Sequence, residues 1–158
     1  MAMRMKHLVR FTVDAEPIPA GSHRAVPIKK WGETVGHRVL HDNPRTAGFM
    51  LYVRHVATQA MRLGYPKLEP WPGPVRMTSL FYFTRPKSHY GTGKNAAILK
   101  PSAPAIKTTK PDLSKLVRAL EDGLTGVVYV DDAQIVSHVA EKQFGDRSDC
   151  YVALELWG

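Results

Sequence analysis

Three aspartates in one stretch of this chain have the types and spacing to do chemistry. Asp112 opens an apolar run, and the tandem Asp131 and Asp132 follow about twenty residues later. Carboxylate oxygens bind hard divalent cations, and such a cation supplies both the nucleophilic water and the charge compensation that phosphodiester hydrolysis needs. Leu113, Leu116, Val117, Leu120 and Leu124 recur at three-and-four spacing, which predicts an amphipathic helix starting at Asp112. Gly126 then leads into Val127, Val128, Tyr129 and Val130, a β-branched run read as a short strand that ends on the two aspartates. A strand folding back along its helix brings the strand end near the helix start, so three carboxylates distant in sequence could share one site. Each also has a plainer reading. Asp112 could cap its helix, where the dipole favours an acid, and Asp131 and Asp132 could be ordinary turn residues. Glu121 and Asp122 fall near the C-terminal end of the helix, where the dipole disfavours acids, and are left outside the site.

At these residues the chain resembles the RusA family of Holliday-junction resolvases. That family's signature is a K/R-x-D-[LI]-D-N-L helix start followed by a short strand and a D-D-A-Q-[VI] turn. Lys110, Asp112, Leu113 and Leu116 match the first half, and Asp131, Asp132, Ala133, Gln134 and Ile135 match the second. The likeness is clear over residues 110–144, and its two halves together are far more specific than either alone. It implies a metal-dependent endodeoxyribonuclease that cleaves four-way junctions or related branched DNA, using Mg²⁺ or Mn²⁺, in a bacterial or phage-infected cytoplasm. It implies a homodimer too, because resolving a junction takes two symmetric incisions. Asp112, Asp131 and Asp132 become the catalytic metal ligands, and Arg118 takes the place of a family lysine that could grip the scissile phosphate. One position departs from the pattern: Ser114 stands where the family carries its second helix-start aspartate, followed by Lys115 in place of asparagine. A serine hydroxyl can hold a metal-bound water, so Ser114 stays in the expected ligand set, but it removes one negative charge. Two alternatives stay open: a junction-binding protein with impaired catalysis because of Ser114, and a basic scaffold protein that is no nuclease.

The charge balance agrees with a polyanionic partner. Lysine and arginine number 22 against 14 acidic residues, a formal net charge of +8. At 158 residues and 44% hydrophobic content, one domain over residues 1–158 can bury a real core. The single cysteine, Cys150, excludes an internal disulfide, fits a reducing cytosol and falls in an expected strand, where it reads as a buried thiol. No run reaches the roughly 18 apolar residues of a membrane helix, and the N-terminal apolar stretch is too short for a secretory signal, so no membrane partner is expected.

Residues 8–13 alternate as a strand with one buried face. Pro17, Pro19 and Gly21 break that pattern and open a loop carrying Ser22, His23, Arg24, Lys29, Lys30 and Trp31, where cations suit phosphates and the ring suits an unstacked base. His37 and His41 would share a face on a helix, but without an adjacent glutamate they read as polar surface. Asn43 and Pro44 start a helix whose apolar side is Phe49, Tyr52, Val53, Val56, Ala60 and Met61, ending at Gly64 and Pro66; Arg45, Arg54 and Arg62 lie off that side. A rigid turn at residues 70–74 precedes a strand at 75–84. Residues 85–109 lack periodicity and are read as a mobile basic loop that orders on DNA, with Lys87, Lys94, Lys100 and Lys107 as contacts, continued by Lys110 and Lys115. Residues 135–144 and 150–157 read as a closing hairpin through Gly145, Asp146, Arg147 and Ser148. The element order points to an α+β fold, one mixed or antiparallel sheet covered by two helices, as the RusA likeness also implies.

Overall fold

Alternating burial makes the main sheet. In the strand Val75–Thr84 the odd residues Val75, Met77, Ser79, Phe81 and Phe83 are buried while the even ones are exposed or half-buried, as a strand with one covered face requires. The computed structural model describes residues 2–21, 23–41, 43–67 and 69–158, with the side chains of residues 23, 24 and 38–41 also outside the described set. Its elements are β1 (Met5–Val13), β2 (His23–Lys30), β3 (Glu33–His41), α1 (Arg45–Gly64), β4 (Val75–Thr84), α2 (Leu113–Leu124), β5 (Ile135–Gly145) and β6 (Asp149–Trp157). Four strands form a mixed sheet in the order β1-β6-β4-β5, with β4 and β5 parallel and the other neighbours antiparallel. This is the α+β, mixed-sheet architecture expected. None of its helices is long and apolar enough to cross a membrane among the described residues.

The core lies between the sheet and the two helices. Phe49, Val53, Ala57 and Met61 of α1 and Leu116, Leu120 and Leu124 of α2 are buried there with Val9, Val13, Phe81, Val152 and Leu154. The helices approach closely at Gly123, where an added Cβ would stand 3.0 Å from Val53 Cγ1. Cys150 is fully buried on β6, and burial pushes its thiol well above the usual range.

Three expectations need correction. The loop expected after Gly21 is a separate two-stranded ribbon, β2 and β3, closed by Trp31 and Gly32 with φ of 58° and 86°. Both residues have the positive φ that a tight two-residue hairpin turn demands. None of the ribbon's described side chains is buried, so they show no buried-face alternation to read. His37 and His41 are therefore strand residues; the side chain of His41, like that of Arg24, lies outside the described residues, as does Ser22 entirely. The run 127–130 is no sheet strand but a turn closing the end of α2, where Val128 N donates to Leu124 O and Gly126 N to Tyr129 O. Nor do β5 and β6 form a hairpin. Residues 146–148 pass over the end of β4, where Ser148 Oγ accepts from Thr84 N at 3.0 Å, and β6 enters the sheet on β4's other side.

One buried polar chain joins α2 to the sheet. Ser79 Oγ lies 2.8 Å from His138 Nε2, and His138 Nδ1 lies 2.8 Å from Glu121 Oε1. A carboxylate only accepts, so Nδ1 donates to Glu121, while Nε2 and the serine hydroxyl share the second bond. The order Ser–His–Glu resembles a nucleophile relay, yet Ser79 has no exposed surface and cannot reach a substrate. Its role is structural. His138→Ala is expected to lower stability by about 1–3 kcal/mol, because it leaves partly buried partners unsatisfied. A urea unfolding midpoint equal to that of the parent protein would refute this.

Candidate functional site

Asp112 occupies the N-cap position of α2 in extended conformation, and its carbonyl accepts from Lys115 N and Leu116 N at 3.1 and 3.2 Å. Its carboxylate makes no cap hydrogen bond, so the plainer capping reading fails. The exposed side chain stands among cations. Lys142 Nζ donates to the carbonyls of Thr109 and Pro111 at 2.8 Å each, and Lys107 Nζ donates to Lys110 O at 2.9 Å and Thr109 Oγ1 at 3.1 Å. These bonds fix the segment that presents Asp112. The Lys107 ammonium also sits 4.9 Å above the Phe83 ring; burial, and then the charge of Lys142, lower its pKa from the ordinary lysine value. Lys110, Ser114, Lys115 and Arg118 are exposed on the same segment and the first turns of α2.

A cleft of about 650 Å³ opens beside this helix start, lined by Pro17, Pro19, Asn43, Arg45, His89, Lys107 and Phe144 among others. Sequence reasoning missed Lys142 and the cleft's aromatic wall. Lys142 did carry a signal, since it shares strand parity with His138 on the face that meets α2.

The basic loop is built rather than structureless. Tyr90 bridges Leu99, Gly91 N donates to Ile98 O, Lys100 N donates to His89 O, and Arg85 reaches Pro104 O at 2.7 Å. Short 3-10 turns at Lys87–His89 and Gly93–Asn95 add further backbone bonds, His89 N to Pro86 O and Ala96 N to Gly93 O. An unperiodic sequence gave no sign of this, because such bonds run between backbone groups. Lys87, Lys94 and Lys100 are nonetheless exposed along it, and Lys29 and Lys30 are exposed at the tip of the β2–β3 ribbon.

Asp131 and Asp132 stand at the opposite end of α2. Asp131 Oδ1 accepts from Ala133 N at 2.8 Å, while Gln134 Oε1 accepts from Val130 N and Asp131 N. Gln134 Nε2 in turn donates to Trp71 O and Gly73 O, which pins the D-D-A-Q turn against the segment leading into β4. Gln134 is thus the clamp of this motif. Asp132 is exposed and, with Glu121 and Asp122, adds to the burial that raises the Tyr129 pKa. What folds back along α2 is β5, which begins after the aspartates, so they stay at its far end. The 12 residues of α2 themselves span about 18 Å. The structure brings Asp112, Ser114, Lys110, Lys115 and Arg118 together, and Asp131 with Asp132, but not the two groups with each other. Among the described residues no three His, Cys, Asp or Glu side chains group closely enough to hold a metal ion. The three carboxylates of one chain thus do not form such a group among the described residues.

Comparison with known proteins agrees with the motif. The chain is 28% identical over 145 residues to the uncharacterized protein YqaN of Bacillus subtilis (strain 168), covering 88% of this chain and 89% of that protein. The sequence profile of the family described as Endodeoxyribonuclease RusA matches residues 16–155, nearly the whole chain and both motif halves. The match, the mixed sheet under two helices, and an aspartate freed from capping at a basic helix start agree: the chain belongs to the RusA family of Holliday-junction resolvases and is an endodeoxyribonuclease.

Proposed function

We propose that this chain resolves four-way DNA junctions as a homodimer that uses a divalent cation, Mg²⁺ or Mn²⁺, at sites completed between two copies. RusA nucleases generally depend on a divalent metal. The observation that carries the reading is the exposed Asp112 carboxylate, which does no work for its own helix amid Lys107, Lys110, Lys115 and Lys142. Cations grouped around an anionic ligand position suit a phosphate backbone drawn up to a metal site.

Two features support a second copy as the missing half. The helix surface is polarised, with Lys115 and Arg118 exposed near its start and the half-buried Asp122 near its end, beyond which stand the exposed Asp131 and Asp132. An antiparallel copy would match basic end to acidic end. β5 is also an edge strand, 11 residues long and without proline, with Val136 and Val139 60% and 54% exposed. Such an edge is a template for pairing. Pairing β5 antiparallel with its copy would lay one chain's Asp131–Asp132 turn beside the other chain's Asp112. Asp112, with Ser114 through a water, and the partner copy's turn would then hold the cation, which supplies a nucleophilic water and charge neutralisation when bound. This chain's own part is to fix the helix start through Lys142, bind the backbone with Lys107, Lys110 and Lys115, and neutralise the scissile phosphate with Arg118.

The test is incubation of a synthetic four-way junction with the protein and Mg²⁺, Mn²⁺ or EDTA. Paired cuts near the branch with metal, and none with EDTA, are expected; an intact junction under all three conditions would favour a second reading. That reading is a junction-binding protein whose catalysis is impaired, and it rests on the exposed Ser114 hydroxyl at a carboxylate position.

Junction binding is expected to weaken with salt at a log–log slope near −0.9 per phosphate neutralised. Alanine at Lys87, Lys94 and Lys100 together should flatten it by about 2–3 units. The same slope in the triple variant would place the DNA track away from the 85–109 loop.

A further inference from the structure

The most exposed large aromatic of the chain sits where the backbone accommodates it least. Trp31 is 93% exposed at the tip of the β2–β3 ribbon with φ of 58°, a left-handed conformation that side chains with a Cβ rarely take. Two-residue turns of this kind favour asparagine, aspartate or glycine. The other two tryptophans are engaged: Trp71 Nε1 donates to Trp157 O, and Trp157 Nε1 donates to Glu155 beneath the Arg76 guanidinium. At 93% exposure the Trp31 ring is covered by almost none of the described chain, which leaves its faces open to a partner.

The ribbon is placed for a purpose. Eight residues of β2 reach about 26 Å, and β2 pairs with β3 in a two-stranded sheet separate from the main one. Its root is bolted to the candidate site. Ala20 N donates to Lys115 O in the first turn of α2, and Thr46 Oγ1 donates to Pro19 O. Pro19 and Asn43, at the two feet, both line the cleft beside Asp112. At the tip, Lys29 and Lys30 stand exposed next to the ring.

We infer that Trp31 is a stacking platform for an unpaired or unstacked base at the branch of the DNA substrate, with Lys29 and Lys30 holding the flanking phosphates. This deepens the proposed function and rests on it. An exposed aromatic face beside two exposed cations suits a base in any sequence, because every base offers a π-face and cations meet the backbone. Intact duplex keeps its base faces covered, whereas a branch point or single strand leaves them open. The arm therefore gives discrimination for branched over linear DNA, separate from the aspartates that cut.

The experiment titrates full-length protein, Trp31→Ala and Trp31→Phe in EDTA with three probes: an immobile four-way junction, a duplex arm of the same sequence, and oligo(dT). Tryptophan emission is read alongside affinity, and a second junction carries 2-aminopurine at the branch. Expected are quenching of the parent protein's emission by the junction, about tenfold weaker junction binding by Trp31→Ala, duplex affinity within about twofold, and near-parental binding by Trp31→Phe. Equal junction affinity for Trp31→Ala and parent would overturn the inference, as would equal losses on junction and duplex. A change of oligomeric state in Trp31→Ala would also overturn it, by making the ring a chain–chain contact. Since Trp31 lies outside the cutting site, a parent that cuts junctions beside an unaltered Trp31→Ala sinks this inference alone. A parent that binds no DNA sinks the proposed function with it.

Discussion

Asp112→Asn and Asp132→Asn proteins are each expected to bind a four-way junction and leave it whole, while an equilibrated mixture of the two nicks it. Either substitution removes one charge from a proposed ligand set. Cleavage should fall at least a hundredfold, about 2.7 kcal/mol of barrier. Binding should be equal or tighter, since a negative charge near the phosphates is gone. The mixture tells where the site is. Asp112 and Asp132 stand at opposite ends of α2, so a site using both draws one from each copy of an antiparallel pair. In a mixed dimer one site then carries both asparagines and the other carries none. Random reassortment makes about half the dimers mixed, and about a quarter of all sites whole. The product should be a single nick, since only one site per dimer is active. A silent mixture beside an active parent would confine the site to one chain and end the two-copy reading. Cleavage by either variant at the parent rate would remove that aspartate from the site.

Ser114→Asp is expected to raise Mg²⁺-dependent cleavage at least tenfold, about 1.4 kcal/mol. Ser114 is exposed on the first turn of α2, two residues from Asp112, where a carboxylate would add a hard, charged oxygen to the ligand set. A hydroxyl offers only a neutral dipole. Arg118, four residues on, shares that face of the helix, so the added charge would not stand among like charges only. The parent chain should accordingly be slow with Mg²⁺ and partly rescued by Mn²⁺. Calorimetric titration with Mn²⁺ in the presence of an uncleavable junction would check the binding side. If Ser114→Asp cut at the parent rate or slower, the hydroxyl would be a native part of the site and Asp131 the source of the missing charge.

Much of this was legible where burial leaves a period. β4 and α1 could be read to within a residue, because each shows one covered face, and Asp112 marked the start of α2 because the apolar run begins there. Topology was not legible. Strand pairing depends on which edge is free, so the passage of residues 146–148 over β4 left no local trace, and neither did the separation of Asp112 from Asp131. The β2–β3 ribbon was missed for the opposite reason, since none of its described side chains is buried to mark a covered face. The Trp31–Gly32 turn was its one signal. Around the helix start the acids and cations of the motif stand exposed together, but Gln134 passed as part of a motif when it clamps a turn, and Lys142 passed unnoticed.

Cys150 gives the molecule an internal clock. It is the only thiol, it sits wholly buried on β6 between β1 and β4, and burial holds it protonated. A thiol-specific reagent can therefore react only after this end of β6 parts from its neighbours, where Cys150 pairs with Val13 and Phe81. Its modification rate measures that opening. When opening and reclosing are fast against labelling, the rate reports the free energy of unfolding, and when reclosing is slow it reports the unfolding rate constant. A cysteine placed at the ribbon tip would label at once without background from this one, so a single chain could report its outermost and innermost motions on two separate timescales.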